Sequence, residues 1–557
     1  MRRSDLPGNL GPLRGAIEAA LDRLAQTEAI GRLWRRDGTL WTTDPKIARS
    51  IEERLGWLGT PEAAEDFLAP VEAFRREVAA ARQIVLLGMG GSSLAPEVMA
   101  GALPRNGPPL IVLDSTAPQA VRAVEQIGLE DTVFVVSSKS GTTTETRTLA
   151  AYFLHHTAPL PGAAFVAVTD EGTPLARQAA TPPFARAFIN PRDIGGRYSA
   201  LSFFGLVPAA LCGVDVRRLM ERTMPMVRAC RGTNVADNPG AWLGAVLGAA
   251  AAAGRDKLTL VTSHGLAGLG AWIEQLIAES TGKQGRGLLP VDGEPLADAD
   301  DYDPDRLFVR IALAAEVNAA MEERLDRLAQ AGHPVVRITV ADPYDLGAEL
   351  FRWEVATALA GFLMGINPFD EPNVQQSKDI TNSLLVVYQH EGRLPEERPA
   401  LQDDGIALSG EVSGGSVGDA LEVFLRAAHP PQYVGLLAYL SRTPQHEEAL
   451  AEMRRIVRER LRVATTRGFG PRYLHSTGQL FKGGPPTGRF VVFTAESPLD
   501  LEIPGEPYTF GTLLRAQALG DVQALRAGGR AVLHIHLTDP APGLLAVARL
   551  LQERFGR

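Results

Sequence analysis

Ser137-Ser-Lys-Ser-Gly-Thr-Thr-Thr-Glu-Thr146 crowds hydroxyl side chains and one lysine around a single glycine, directly after an apolar run. A terminal phosphate presents three acceptor oxygens, and hydroxyls with backbone N–H groups can saturate them without a large positive patch. Ser and Thr also cap ordinary helices, but such turns rarely gather this many hydroxyls behind a buried strand. The strict nucleotide P-loop is excluded, because Ile277 stands where Gly282-Lys283 would need its first glycine. A second turn, Gly88-Met-Gly-Gly-Ser-Ser93, also follows an apolar run and lets the backbone approach an anion. Its dinucleotide reading, with Asp114 as ribose partner, fails on spacing, since Ser93 replaces the third glycine. Gly195-Gly-Arg-Tyr-Ser199 can project the Arg197 guanidinium into a cleft, where a fixed cation stabilises a developing oxyanion. Gln275 and Glu279 lie four apart and share a helix face. Apolar neighbours Ile273, Leu276 and Ile277 would partly desolvate Glu279 and raise its basicity. A helix C-terminus is a poor place for a carboxylate, which favours a working role over a solvated one.

These loops need elements to hold them. Residues 11–80 read as amphipathic helices, with Leu13, Ile17, Ala20, Leu21 and Leu24 at helical spacing. Continuous apolar runs at 84–87, 110–114, 132–136 and 165–169 predict strands covered on both faces, with helices alternating between them. The first half therefore reads as a doubly wound parallel sheet. A second unit of the same style starts near 232, with helix 240–253, strand 258–261, a long helix through Glu279, strand 335–340 and helix 348–364. The Gly/Ser-rich stretch from Gln402 to Asp419 predicts a loop or domain boundary. Further strands are expected at 433–437, 490–494 and 531–538. The division expected is 1–80 helical, 81–230 and 231–400 as two α/β domains, and 401–557 as an α/β C-terminal segment.

A chain of 557 residues exceeds what one core supports, so several domains are expected. A formal charge of −9 argues against nucleic-acid and anionic-membrane partners, and requires any anionic substrate to be held by local donors. Cys212 and Cys230 provide no disulfide framework, and they suit a reducing, cytoplasmic setting as small buried side chains. No signal-type run follows Met-Arg-Arg-Ser-Asp, and the apolar stretch Ala241–Ala253 is shorter than the ~20 residues a bilayer span requires. His534 and His536 alternate on an expected strand but find no further ligand, so no metal is expected.

The four loop motifs, taken in order over roughly residues 80–390, together resemble the phosphoglucose isomerase family of the sugar-isomerase domain superfamily. The resemblance implies two sugar-isomerase domains with a site between them and no cofactor. It implies an aldose–ketose isomerase acting on glucose 6-phosphate and fructose 6-phosphate through ring opening and a cis-enediolate. Mannose 6-phosphate as a further substrate and a non-catalytic sugar-phosphate sensor remain alternatives. Gly91, Ser92 and Ser138, Lys139, Ser140, Gly141, Thr142 and Thr143 would hold the sugar phosphate. Gln275 would contact the substrate, Glu279 would move the proton between C1 and C2, and Arg197 would stabilise the enediolate. Asn367-Pro-Phe-Asp-Glu-Pro-Asn-Val-Gln-Gln-Ser-Lys378 is similar to the family's late segment, whose lysine contacts the sugar ring, although Glu371 stands where that segment usually has Gln. The family's histidine normally precedes that lysine; here the stretch offers only His333, in a poor context. Leu474-His-Ser-Thr-Gly-Gln479 carries the fitting phrase, an order similar to the isomerase half of fused transaldolase–isomerase proteins. His475 is therefore expected to open the ring. In the family this histidine comes from a neighbouring subunit, which implies a homodimer. No room for a transaldolase barrel is expected, because helices lead directly into the isomerase domains.

Overall fold

A computed structural model describes residues 8–158, 160, 162–395, 397–410 and 412–555. The leading Met-Arg-Arg-Ser-Asp run lies outside the described residues. The described chain opens with a short strand, β1 (Gly8–Asn9), and helices Arg14–Gln26, Ala29–Trp34, Pro45–Glu52 and Ala64–Glu77. The 3.6-residue apolar spacing does what it should: Leu13, Ile17, Leu21 and Leu24 are buried together.

Parallel strands β2 (Gln83–Gly88), β3 (Leu110–Leu113), β4 (Thr132–Ser137), β5 (Ala164–Asp170) and β6 (Phe184–Asn190) form a first sheet in the order β3-β2-β4-β5-β6. The second sheet holds β7 (Lys257–Thr262), β8 (Leu289–Val291), β9 (Arg306–Leu313) and β10 (Val335–Val340) in the order β1-β10-β9-β7-β8, with β1 antiparallel at its edge. Helices Pro239–Ala252 and Leu346–Met364 are apolar around nearly their whole circumference. They belong to one continuous core that also takes in the N-terminal helices and inward faces of both sheets. Their small residues allow that close packing.

A third sheet carries β11 (Leu401–Asp403), β12 (Ile406–Gly410), β13 (Tyr433–Ala438), β14 (Ala464–Phe469), β15 (Gly488–Ala495) and β16 (Ala531–Leu537), ordered β11-β12-β16-β15-β13-β14. This corrects the loop expected from Gln402 to Asp419. Ile406 and Leu408 are buried on one face of β12, and the strand pairs antiparallel with β16. Asp404 (φ 43°) and Gly405 (φ 75°) supply the two positive-φ positions of the tight hairpin joining β11 to β12. Helices Val374–Glu391 and Phe510–Ala527 give Leu384, Leu513 and Leu519 to the core behind the first sheet, fastening the C-terminal part to it. Within the described residues, no helix is long and apolar enough to cross a membrane.

Candidate active site

In open α/β sheets, ligands sit beyond the carboxyl ends of strands, where chain turns back into helix. The Gly90–Ser92 turn leaves β2 and the 138–143 turn leaves β4 at such ends. Both border a cavity of about 880 Å³ reached from the opposite side by Gln275 and Glu279 of helix Leu269–Thr281. Gly91, Ser92, Lys139, Ser140 and Thr143 line it, as do Arg197, Lys378 and His475. Ser138, Gly141 and Thr142 do not. Ser138 Oγ instead meets Thr143 Oγ1 at 3.0 Å and accepts from Gly141 N at 3.1 Å, bracing the turn. Thr142 borders an adjoining cavity of about 260 Å³ that shares Ser140, Thr143, Lys378 and His475 with the larger one. Lys139 is engaged, its ammonium paired with Asp170 and donating to Arg192 O at 3.2 Å. The hydroxyls, more than a free lysine, therefore face the cavity. Gly91 has a steric reason to be glycine: a Cβ there would lie 2.0 Å from Gly196 O.

Arg197 lies in a short helical turn, Gly196–Tyr198, with its side chain 4% exposed. Nε donates to Ser280 Oγ at 2.8 Å, and Nη2 donates to the carbonyls of Pro368 (2.8 Å) and Asp370 (2.9 Å). Nη1 faces two carboxylates, Glu371 Oε2 at 3.0 Å and Glu279 Oε1 at 3.3 Å. Burial opposes its charge, yet Glu279 and Glu371 hold its pKa above the ordinary value. Arg54, from the N-terminal helical segment, reaches Glu371 Oε2 at 3.3 Å and also bonds Phe369 O.

For Glu279, burial pushes the carboxyl up, Arg197 opposes that, and Glu371 adds to it; the net direction is upward. A carboxylate of raised proton affinity is a stronger base. Gln275 Nε2 donates to Glu279 Oε2 at 3.2 Å and to His475 O at 2.8 Å, joining the base to the C-terminal segment. Lys283, one turn further on, is pushed down to about 8, chiefly by burial, and donates to Asp370 Oδ1 at 2.8 Å.

His475 comes from the turn Arg472–His475 of the same chain. Its Nε2 lies 3.1 Å from Glu145 Oε1, on the helix that begins directly after the hydroxyl-rich turn. Glu145 also accepts from Gln517 Nε2 at 2.7 Å, and Gln517 accepts from Thr116 at 2.8 Å. Against the upward push of burial, His475 holds the Glu145 carboxyl below its usual value, with Lys378 contributing. Arg472 anchors the turn through Asp114 (2.7 Å) and Glu97. Asp114 thus serves an internal ion pair. His333 lies away from the cavity, edge-on to Phe308 and Tyr302, and burial pushes it down to about 4. His534 and His536 share a face as expected, and both bond Thr494 Oγ1. Among the described residues no group of three or more His, Cys, Asp or Glu side chains could hold a metal ion.

Sequence reasoning missed Glu145, Gln517 and Arg54. Glu145 stood inside the hydroxyl-rich run, but its partner is 330 positions away. Arg54 gave no signal among many arginines.

A hydroxyl-rich turn beyond one parallel sheet, opposed by a buried carboxylate beyond a second, is the arrangement expected of a sugar-isomerase-domain protein. Residues 74–287 match the family model described as phosphoglucose isomerase. The glucose-6-phosphate isomerase of Thermosynechococcus vestitus is 28% identical over 474 residues, covering 74% of this chain and 88% of that enzyme. That of Rubrobacter xylanophilus is 29% identical over 406 residues, covering 61% and 91%. A solved structure of a hypothetical protein from Thermus thermophilus superposes with a TM-score of 0.57 at 26% identity, covering 67% of this chain and 97% of that one. A glucose-6-phosphate isomerase from Chlamydia trachomatis gives 0.53 at 18% identity, covering 67% and 86%, and speaks to the fold alone. The chain is similar to the phosphoglucose isomerase family, most directly over residues 74–287.

Proposed function

We propose that this chain interconverts glucose 6-phosphate and fructose 6-phosphate, and that one cleft carries the whole reaction. The observation bearing most weight is that Glu279 and the hydroxyl-rich turn border the same cavity, with Arg197 Nη1 3.3 Å from the carboxylate. Ser92, Ser140 and Thr143 take the phosphate oxygens, with Ser138 and Gly141 bracing the turn and Lys139, neutralised by Asp170, at its edge. Thr142 completes the turn beside the adjoining cavity. His475, backed by Glu145, moves a proton between O1 and O5 to open the ring, a task suited to imidazole near neutral pH. Glu279 then takes the weakly acidic proton from C2 and returns it to C1. Arg197 stabilises the enediolate oxygen without adding a second titrating base. Lys378 contacts the ring region, and Gln275 ties base and histidine together.

The division into a helical segment to residue 80, two sugar-isomerase domains to 230 and 400, and a C-terminal α/β segment bearing His475 fits these roles. A histidine already at hand in the same chain makes a homodimer unnecessary for the chemistry, so we take any self-association to serve stability. Two buried free cysteines, Cys212 and Cys230, suit work in the cytoplasm.

A coupled assay in both directions tests the reading. Glu279→Gln should cut turnover by about 10²–10⁴-fold, the span for general acid–base groups, with KM nearly unchanged. Near-normal turnover by that variant would refute the mechanism. Mannose 6-phosphate run in parallel decides the breadth at C2.

A further inference from the structure

Glu371 is the departure in the late segment, and its surroundings give it a purpose. Arg197 has no spare donor direction on Nε or Nη2, which are taken by Ser280 and by the carbonyls of Pro368 and Asp370. Only Nη1 is divided between side-chain acceptors, Glu371 at 3.0 Å and Glu279 at 3.3 Å. Behind Glu371 stands Arg54, 3.3 Å from the same oxygen that meets Arg197. Charges of alternating sign therefore run in one line: Arg54, Glu371, Arg197, Glu279. A neutral amide at 371 would break this line between Arg197 and Arg54.

We propose that Glu371 is a positioning residue that shares Arg197 Nη1 with Glu279, fixing the guanidinium beside the base and tuning the base's proton affinity. The inference rests on Glu279 being the base. During the reaction the C2–H bond breaks and its proton joins Glu279. The electron pair becomes the C1–C2 π bond, and the carbonyl pair moves onto O1. Negative charge thus leaves Glu279 and appears on the substrate oxygen. Glu371 keeps its grip throughout, so Nη1 needs only to exchange one acceptor for the other, without the side chain moving. Preorganisation of this kind keeps a stabilising charge aimed where charge develops. The same carboxylate is a like charge facing Glu279 and strengthens it as a base, while Arg54 limits the effect.

The other charged groups facing Glu279 are Lys283, just beyond the end of its helix, and His475 from the C-terminal segment. Asp370 is tied up by Lys283, and Lys378 lines the same cavity. None of them touches Arg197 Nη1 in the way Glu371 does.

The test is the acid limb of kcat/KM against pH, which reports the free enzyme's base. Glu371→Gln keeps the shape and removes the charge, and should move that limb down by about 1 pH unit, the low end for a close charge. Arg54→Met should move it the opposite way by less, and should lose that effect when combined with Glu371→Gln. KM should stay within about twofold, because the phosphate turn is untouched. An acid limb that stays in place in Glu371→Gln, while Glu279→Gln is inactive, overturns the positioning role alone. Should Glu371→Gln fail to fold, an unmoved limb in Arg54→Met overturns it instead. Retained turnover in Glu279→Gln overturns the base, and this inference with it.

Discussion

Replacing Glu145 with Gln probes the ring-opening step separately from isomerisation. The carboxylate lies 3.1 Å from His475 Nε2, and the two side chains are 7% and 16% exposed. Unit charges at about 4 Å are worth about 4 kcal/mol at an effective dielectric near 20. Close opposite charges shift pKa values by about 1–3 units, or about 1.4–4 kcal/mol. Gln keeps an oxygen where Gln517 Nε2 and His475 can reach it, so geometry survives while the charge is lost. Taking about 2 kcal/mol as the lost stabilisation of positive charge developing on His475 during the proposed proton transfer, ring opening should slow about 30-fold. Because the loss falls on ring opening, the chemical step at C2 should cease to limit the rate. The assay is kcat with ordinary and C2-deuterated glucose 6-phosphate. The isotope effect in Glu145→Gln should fall toward unity, unlike a substitution that weakens Glu279. Turnover within twofold of the parent would refute the reasoning, as would a slowed variant with a full isotope effect.

Two further outcomes follow from buried charge. Glu354, on helix Leu346–Met364, is 1% exposed, Oε1 has no hydrogen-bond partner, and burial alone raises its carboxyl well above the ordinary value. The folded chain holds this proton after the unfolded chain has lost it, so stability should fall as pH rises from about 4.5 toward the raised value, with a slope of up to about 1.4 kcal/mol per unit. Glu354→Gln should flatten that part of a denaturant-midpoint curve, and an unchanged slope would show that another group sets it. Arg472→Met strips the cation from buried Asp114 and from Glu97, and should cost about 3–5 kcal/mol in urea unfolding as well as turnover through the adjacent His475; a loss below about 1 kcal/mol would show that the turn is anchored elsewhere.

How far these elements could be read beforehand depended on whether their partners were local. Strands such as β2 and β4 are covered on both faces, so they appear as unbroken apolar runs and were found at nearly their true limits. Strand β9 is as buried, yet Arg306 and Arg310 interrupt its pattern. Their charges are matched by Glu294 at 2.9 Å and Glu322 at 3.0 Å, pairings that only folding supplies. The β11–β12 hairpin was within reach: Asp404-Gly405 beside an alternating strand is a hairpin signal, but the flanking Gly/Ser composition obscured it. The same division runs through the site. The apolar neighbours of Glu279 lie on its own helix and announce its desolvation, whereas Glu145 is given its task by His475 alone.

The acidic charge of the whole chain, −9, is compatible with an anionic substrate because the cleft does not work by bulk potential. Lys139 is neutralised by Asp170, Lys283 by Asp370, and Arg197 stands between two carboxylates. A cleft so balanced attracts phosphate weakly from afar and must hold it by directed hydroxyl and backbone donors. That arrangement suits the proposed reaction, in which one unit of charge would pass from Glu279 to the substrate oxygen while the local total stays constant. A strongly positive cleft would bind phosphate more tightly but would also lower the proton affinity of Glu279 and weaken the base. On the proposed reading, the carboxylate at 371 belongs to the same solution as the hydroxyls of Ser140 and Thr143, with the substrate gripped without surplus cations so that the base stays strong.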